Sequence, residues 1–132
     1  MLIHPLSLIA FIIVSFAVQG LSHFVINKDH FAGIDIMRPD PIIPLGVLAM
    51  VIQGLLISIA LQMWRGSDVV LLDGVKVAFV FGLFLATYIV IVEPSKYAVP
   101  SIANWMMVEG IASFIQFSLF GLVLGYIHQR LG

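Results

Sequence analysis

Four long apolar runs constrain this chain more than any other feature of its sequence. They cover about residues 5–26, 42–64, 69–92 and 102–128, and polar or proline-containing connections separate them. A helix needs about 20 apolar residues to cross the hydrocarbon core of a bilayer, so each run is long enough. Since lipid offers the backbone no hydrogen-bond partners, each run has to close its bonds within a helix. The sequence therefore predicts an all-α, polytopic membrane protein, an antiparallel four-helix transmembrane bundle forming one domain over residues 1–132.

Composition supports this prediction and removes several classes of function. Hydrophobic residues make up 61% and charged residues 10% of the chain, against roughly 45–50% and about 25% in soluble domains. The net charge of −1 provides no basic surface for nucleic acid, so we expect no such partner. The chain has no cysteine, which excludes thiol catalysis and thiolate metal sites. No known motif for a zinc protease, a phosphate-binding loop or a serine nucleophile is present, so we expect no resident metal or cofactor and regard an enzyme as the less favoured class.

The fourth run contains Glu109 inside an otherwise lipid-like sequence. An ionised carboxylate at that depth costs on the order of 3 kcal/mol, so it requires a partner, a proton or water. Glu109, Ser113 and Gln116 recur at helical spacing and share one face. Depth along the four helices places polar side chains from every run at a similar level, which we call side A. The binding pocket predicted there consists of Glu109, Gln19, His23, Gln53, Tyr88 and Gln116.

Two interpretations of Glu109 follow from this position. In the structural one, a protonated Glu109 forms a hydrogen bond with Gln19, His23 or Gln53. In the functional one, Glu109 is the titrating group of a proton-handling site, since ionisable groups within a membrane are usually functional. Both interpretations require Glu109 to face the interior of the bundle.

A second polar set is predicted at the opposite end of the bundle, side B, closer to the membrane interface. It comprises His4, Gln62, Asp73, Lys76 and His128. Asp73 and Lys76 lie three residues apart and could pair near the start of the third run, but the favoured interpretation of Lys76 is a side chain that extends its ammonium to the membrane interface.

Small residues predict close helix packing in the last two runs. The third run has a small residue at every fourth position, and the fourth run has three glycines, Gly110 among them, on a face separate from that of Glu109. The residues predicted to pack are Gly74, Ala78, Gly82, Ala86, Gly121 and Gly125. Ladders of this kind allow two helix backbones to approach closely. The ladder could pack within the bundle or against another chain, so a homo-oligomer or a larger membrane complex is an expected partner, beside the lipid bilayer itself.

The connections predict a cap over the bundle, but they do not predict which side of the membrane each end of the bundle faces. The first connection, residues 27–40, includes apolar side chains such as Phe31 and Ile34, so we expect it to fold back on the membrane surface or cap the bundle. The basic residues divide equally between the two sides, three against three, and the positive-inside rule therefore gives no orientation. They are Lys28, Arg38 and Lys96 on side A, and Arg65, Lys76 and Arg130 on side B.

The layout of the chain also carries a resemblance. Its features are the connection over residues 31–44, the pair Asp73 and Gly74 at the start of the third run, and Trp105 with Glu109 at the start of the fourth. In this layout the chain resembles small four-helix bacterial inner-membrane proteins grouped as domains of unknown function. The resemblance covers most of the chain. It implies a multi-pass location in a bacterial inner membrane and transfers no catalytic residue.

The sequence supports two hypotheses of function from different classes. The first is a small integral membrane protein that acts as an accessory subunit or as a binding module for an apolar ligand, a lipid or a partner helix. The alternative is a proton-coupled transporter of a small solute, working as a dimer, with Glu109 as the titrating group. A membrane-embedded enzyme acting on a lipid-like substrate is a third, less favoured possibility.

Overall fold

Helices form all of the regular structure in the described residues of the computed structural model, which are 2–35, 37–38 and 40–132. In chain order they are α1 (Ile3–Leu21), α2 (Lys28–Ala32), α3 (Ile43–Arg65), α4 (Leu71–Ala86), α5 (Glu93–Lys96) and α6 (Ile102–Leu131). Two of them, α1 and α4, continue into π-helical segments at Ser22–Ile26 and Thr87–Val92. The prediction of an all-α fold is confirmed.

Four helical stretches are long and apolar enough to cross a membrane. They are Ile3–Ile26, Ile43–Arg65, Leu71–Lys96 and Ile102–Leu131. Their ends lie within a few residues of the four predicted runs, because the apolar composition changes at the polar and proline-containing connections. Four hydrophobic helices of this length suggest a multi-pass membrane protein.

The central helix is α6, which has by far the most buried residues. Both α1 and α4 pack along α6, and α3 packs on α1. The start of α1 lies near the end of α6, where His4 and His128 approach each other, and Gln19 of α1 contacts Gln116 further back along α6. The end that contains His4 and His128 is side B, and the end that contains residues 22–43 and 87–102 is side A.

The tightest helix contact joins α4 and α6 through glycines. A Cβ atom added to Gly121 would lie only 2.8 Å from the Cα atom of Val75. Gly74 and Gly125 face each other so closely that a side chain on either would overlap the opposing backbone. Only glycine fits these positions, so the two helix axes come together as closely as backbones allow.

The small-residue ladder of the third run therefore packs inside the structure. Gly74, Ala78 and Gly82 are all buried against α6, and Ala86 is half-buried at the end of the row. A Cβ atom on Gly82 would lie 2.5 Å from Cγ of Phe117. This face is occupied within the chain, so it is not a spare surface for a second copy.

Aromatic rings close the middle of the bundle. Phe11 and Phe120 are fully buried and meet edge to face, with ring centroids 4.8 Å apart. Phe117 packs on the other side of Phe11, with centroids 5.9 Å apart. Ile57 and Leu124 complete this apolar layer. We call Phe11, Phe117 and Phe120 the aromatic plug, because they separate the polar groups of side A from those of side B.

The π-helical segment after α4 has a specific hydrogen-bond arrangement. A carbonyl in a π-helix accepts from the residue five positions later, and for Ile89 that residue is Pro94, which has no N–H. The indole Nε1–H of Trp105 on α6 donates to the Ile89 carbonyl instead, at 2.8 Å. A half-buried carbonyl that would otherwise lack a backbone partner is thereby satisfied by a side chain from another helix.

The connection after α1 caps side A, as predicted. Phe31 at the end of α2 and Ile34 just beyond it are buried against Trp105, with Val99 and Val108 packed around them. This apolar cluster fixes α2 against the start of α6.

The pairing of Asp73 with Lys76 that the spacing allowed does not form, and Lys76 is exposed. The Asp73 carboxylate accepts from Arg65 Nε at 3.0 Å and from the backbone N–H of Val70 at 3.0 Å. The turn between α3 and α4 passes through Gly66, whose φ of 61° suits glycine. Asp73 thus joins the two helices across the turn and satisfies a free N–H at the start of α4.

Candidate functional site

A polar network links α1 and α6 in the side A half of the bundle. Ser15, Gln19 and His23 recur every fourth residue of α1 and form one stripe. Gln19 Nε2 donates to Gln116 Oε1 at 2.7 Å, and Gln116 Nε2 donates to Ser15 Oγ at 2.8 Å. The structure thus brings together two of the predicted site residues, Gln19 and Gln116.

His23 connects this network to the cap. Its Nδ1 lies 2.8 Å from the backbone carbonyl of Gln19, and since a carbonyl only accepts, Nδ1 carries the hydrogen. The imidazole stacks on Phe31 with ring centroids 3.8 Å apart and an interplanar angle of 16°. His23 is therefore held in one orientation. Its Nδ1 is used in the bond to Gln19, and Nε2 is the other ring nitrogen.

A cavity of about 870 Å³ lies beside this network. It forms because α3 leaves α1: the two helices touch at Gly54, where an added Cβ would lie 2.9 Å from Cβ of Phe11, whereas residues 43–50 of α3 are mostly exposed. Ile34, Met37 and Arg38, from the segment between α2 and α3, line the cavity on side A. Ser15, Gln19 and His23 line the cavity from α1.

The walls of the cavity are mainly apolar and include two glycines. Phe16 and Gly20 of α1 face Gly46 and Met50 of α3 across it. A Cβ atom on Gly20 or Gly46 would have nothing within 4 Å. The space at these glycines is the cavity itself, so it is open to a ligand rather than filled by neighbouring side chains.

The charges that line the cavity are positive. Lys28 and Arg38, both from the first connection (residues 27–40), lie in its wall. That connection also contains Asp29, Asp35 and Asp40, but none of these three described acids lines the cavity. The cavity therefore combines an apolar interior with a cationic rim.

The other predicted site residues lie apart from the cavity. Glu109 is only 6% exposed, but the described residues contain no hydrogen bond from it to Gln19, His23 or Gln53. Gln19 bonds to Gln116 instead, two turns further along α6. Gln53 is half-buried on α3, and Tyr88 is 45% exposed on the π-helical segment after α4. Tyr88 accepts a hydrogen bond from the Lys96 ammonium.

A second polar site lies on side B, where the sequence predicted a polar set that included His4, Gln62 and His128 but did not predict Ser58 or the contacts between these residues. His4 Nδ1 is 2.9 Å from Ser58 Oγ, and Ser58 Oγ is 2.8 Å from His128 Nε2. His4 Nε2 is also 2.7 Å from Gln62 Oε1. We call these four residues the histidine clasp, because they join α1, α3 and α6. A signal was present in the spacing of four between Ser58 and Gln62, but His4 and His128 at helix ends predicted only interfacial residues.

The chain matches no family model, no curated protein and no solved structure. The described residues contain no group of three or more side chains that could hold a metal ion. The cavity on side A and the histidine clasp on side B are the two places where polar chemistry is concentrated.

Proposed function

We propose that this chain is a small multi-pass membrane protein, with its four helices antiparallel across the bilayer, that binds an anionic lipid in the side A cavity. The volume of about 870 Å³ falls in the upper part of the range for ligand sites, roughly 300–1,000 Å³. The lipid would insert an acyl chain between α1 and α3 and hold its headgroup near the connection.

The combination of an apolar interior with a cationic rim supports this proposal most strongly. Arg38 can bind two phosphate oxygens at once through its planar guanidinium, and Lys28 adds a second positive charge. Cationic side chains near the membrane interface, as Lys28 and Arg38 would be, attract anionic lipids from the bilayer. The three acids of the connection do not line the cavity, so the two cations are the charged groups closest to a bound headgroup.

The route into the cavity is consistent with a ligand that arrives from the membrane. Phe16, Ile43 and Leu45 line the cavity and are exposed, so the cavity opens between the helices. In a bilayer these side chains would contact acyl chains, so a lipid could move laterally into the groove without crossing water. Ser15 and Gln19 lie deeper and can hydrogen-bond to an ester group of the lipid.

A proton-coupled transporter with Glu109 as the titrating group is the second candidate. Its supporting observation is the burial of Glu109 without a hydrogen bond to any described side chain. Transport, however, requires a polar route between the two sides, and the aromatic plug fills the middle of the bundle. Gln116 and His128 are separated by about 18 Å of helix at 1.5 Å per residue, so a proton could not pass directly between the two polar sites. Lipid binding requires no such opening.

Filling the cavity tests the proposal. Gly20→Leu would place a side chain in the open space without displacing a neighbour, because nothing lies within 4 Å of the added Cβ. Ala17→Leu is the matched control, since Ala17 is exposed on the same helix and does not line the cavity. Native mass spectrometry of the protein in detergent with added phosphatidylglycerol or phosphatidylcholine measures the bound lipid.

We expect wild type and Ala17→Leu to retain phosphatidylglycerol in preference to phosphatidylcholine, and Gly20→Leu to bind at least tenfold more weakly. Replacing Lys28 and Arg38 with Gln should remove the preference for the anionic lipid while leaving residual binding of both. Equal binding of phosphatidylglycerol by Gly20→Leu and Ala17→Leu would refute the proposal.

A further inference from the structure

The histidine clasp is a closed set of hydrogen bonds between three helices at side B. Ser58 of α3 is 0% exposed and His128 of α6 is 1% exposed, whereas His4 of α1 is half-buried. The two imidazole rings lie 6.0 Å apart between centroids and are nearly perpendicular. Ser58 sits between them and contacts both.

The hydrogen positions in the clasp follow from its acceptors. Gln62 Oε1 can only accept, so His4 Nε2 carries a hydrogen and donates it. In the neutral ring His4 Nδ1 is then an acceptor, and the Ser58 hydroxyl donates to it. With its hydrogen so placed, Ser58 Oγ accepts from His128 Nε2–H. The bonds therefore run in one direction, from His128 through Ser58 to His4, and leave a lone pair at His128 Nδ1.

The clasp has no carboxylate partner among the described residues. At this end of the bundle, Asp73 is bound to Arg65, and Lys76 is exposed. The Arg130 guanidinium lies 5.8 Å from the centroid of the Tyr126 ring. Without a negative charge between them, two imidazolium rings at this separation repel each other, so binding of one proton disfavours binding of a second.

We propose that the histidine clasp is a binding site for a single proton, which Ser58 transfers between His128 and His4. A proton that binds His128 Nδ1 allows the Nε2 hydrogen to move to Ser58 Oγ. At the same time the original hydroxyl hydrogen of Ser58 moves to His4 Nδ1. One N–H bond forms on each histidine as the His128 Nε2–H bond breaks, and Ser58 remains a neutral hydroxyl.

The charge then resides on His4, where the surroundings suit it. Protonated His4 donates from Nδ1 to Ser58 Oγ and from Nε2 to Gln62 Oε1, so both of its hydrogens have acceptors. Charge-assisted bonds of this kind are roughly twice as strong as neutral ones. Ser58 in turn donates to the now unprotonated His128 Nε2. Beyond His128 the interior face of α6 continues with the buried side chains of Leu124 and Phe120, so the site exchanges protons with side B.

Nitrogen NMR of ¹⁵N-histidine-labelled protein in detergent micelles tests this proposal, because the ring nitrogens report both the tautomer and the charge. At high pH we expect His4 and His128 both to carry hydrogen at Nε2. On acidification, His4 should become charged while His128 stays neutral and changes to the Nδ1–H tautomer in the same pH interval. A cluster with only a structural role would not show this coupled tautomer change.

Two serine variants provide the comparison. Ser58→Ala removes the bridge, so the His128 tautomer change should no longer accompany the charging of His4. Ser7→Ala is the matched control, because Ser7 is an equally buried serine of α1 whose hydroxyl has no partner among the described residues. The wild-type spectrum decides the question even if Ser58→Ala does not fold. The proposal is wrong if both imidazoles become fully charged independently in the wild type, or if Ser58→Ala keeps the coupled change.

Discussion

Replacing Gly121 with Ala should destabilise the protein through the contact between α4 and α6. The added Cβ would lie 2.8 Å from Val75 Cα and 3.1 Å from Ala78 Cβ. Carbon atoms ordinarily approach to about 3.5–4.0 Å, so the two helices have to separate by up to about 1 Å. Because the nearest atom belongs to the backbone, no side-chain rotation can relieve the overlap.

The size of the expected loss of stability follows from comparing Gly121 with Gly110, a second glycine of the same helix. A Cβ on Gly110 has only Val90 Cγ2 within reach, at 4.0 Å. Both substitutions gain the same helix propensity, about 1 kcal/mol in favour of Ala, so this contribution cancels between them. The remaining difference is the cost of overpacking, about 1–3 kcal/mol. Gly110→Ala should therefore be neutral or slightly stabilising, and Gly121→Ala should be less stable than Gly110→Ala by that amount.

Equilibrium unfolding in mixed micelles, with sodium dodecyl sulfate as the denaturant and helicity as the signal, measures both variants. Equal midpoints for Gly121→Ala and Gly110→Ala would refute the reasoning, since the close approach of the two backbones would then contribute nothing measurable. An intermediate shift in Gly82→Ala, whose closest neighbour is the Phe117 side chain rather than backbone, would agree with it.

Three further predictions concern the side A half of the molecule. Trp105→Phe keeps the apolar contacts of the cap but leaves the Ile89 carbonyl without its donor, so the free energy of unfolding should fall by about 1–3 kcal/mol in the same assay. Gln116→Leu removes the link to Gln19 and Ser15; because Gln19 can still reach the cavity, lipid binding should persist while stability decreases by about 1 kcal/mol. Glu109→Gln should be as stable as the wild type or more stable at neutral pH, since a buried carboxyl without a hydrogen-bond partner gains nothing from its charge; a clear loss of stability would contradict this.

The sequence predicts where the helices begin and end, but it does not predict how each helix is rotated about its own axis. The ends of the four spans follow from composition, because apolar runs stop at polar or proline-containing connections. Which residues meet across helices depends on rotation about each axis, and an all-round hydrophobic helix specifies that rotation weakly. The rise per residue predicted that Glu109 lies level with Gln19, whereas the residue that bonds to Gln19 is Gln116, two helical turns further along α6. Glu109 therefore makes no bond to Gln19.

Two contacts on side B, that of His4 with Ser58 and that of Asp73 with Arg65, show that helical spacing alone does not identify partners on other helices. His4 and Ser58 are 54 positions apart, and nothing local predicts their contact. For Asp73, local spacing allowed Lys76, whereas the turn at Gly66 returns the chain so that Arg65 is the partner. Helical spacing gives candidate pairs within one helix, but a turn or a third helix can provide a better partner.

The π-helical segments make the chain sensitive to the loss of a single residue. A π-helical segment is equivalent to one extra residue inserted into an α-helix, and each residue of an α-helix turns the chain by about 100°. Deleting one residue from Ser22–Ile26 would convert it to ordinary helix and rotate everything that follows. Phe31 would then lose its contacts with His23 and Trp105. The residues that follow it and line the side A cavity would turn away from the cavity. Substitutions along this segment preserve that alignment, whereas a one-codon deletion would not.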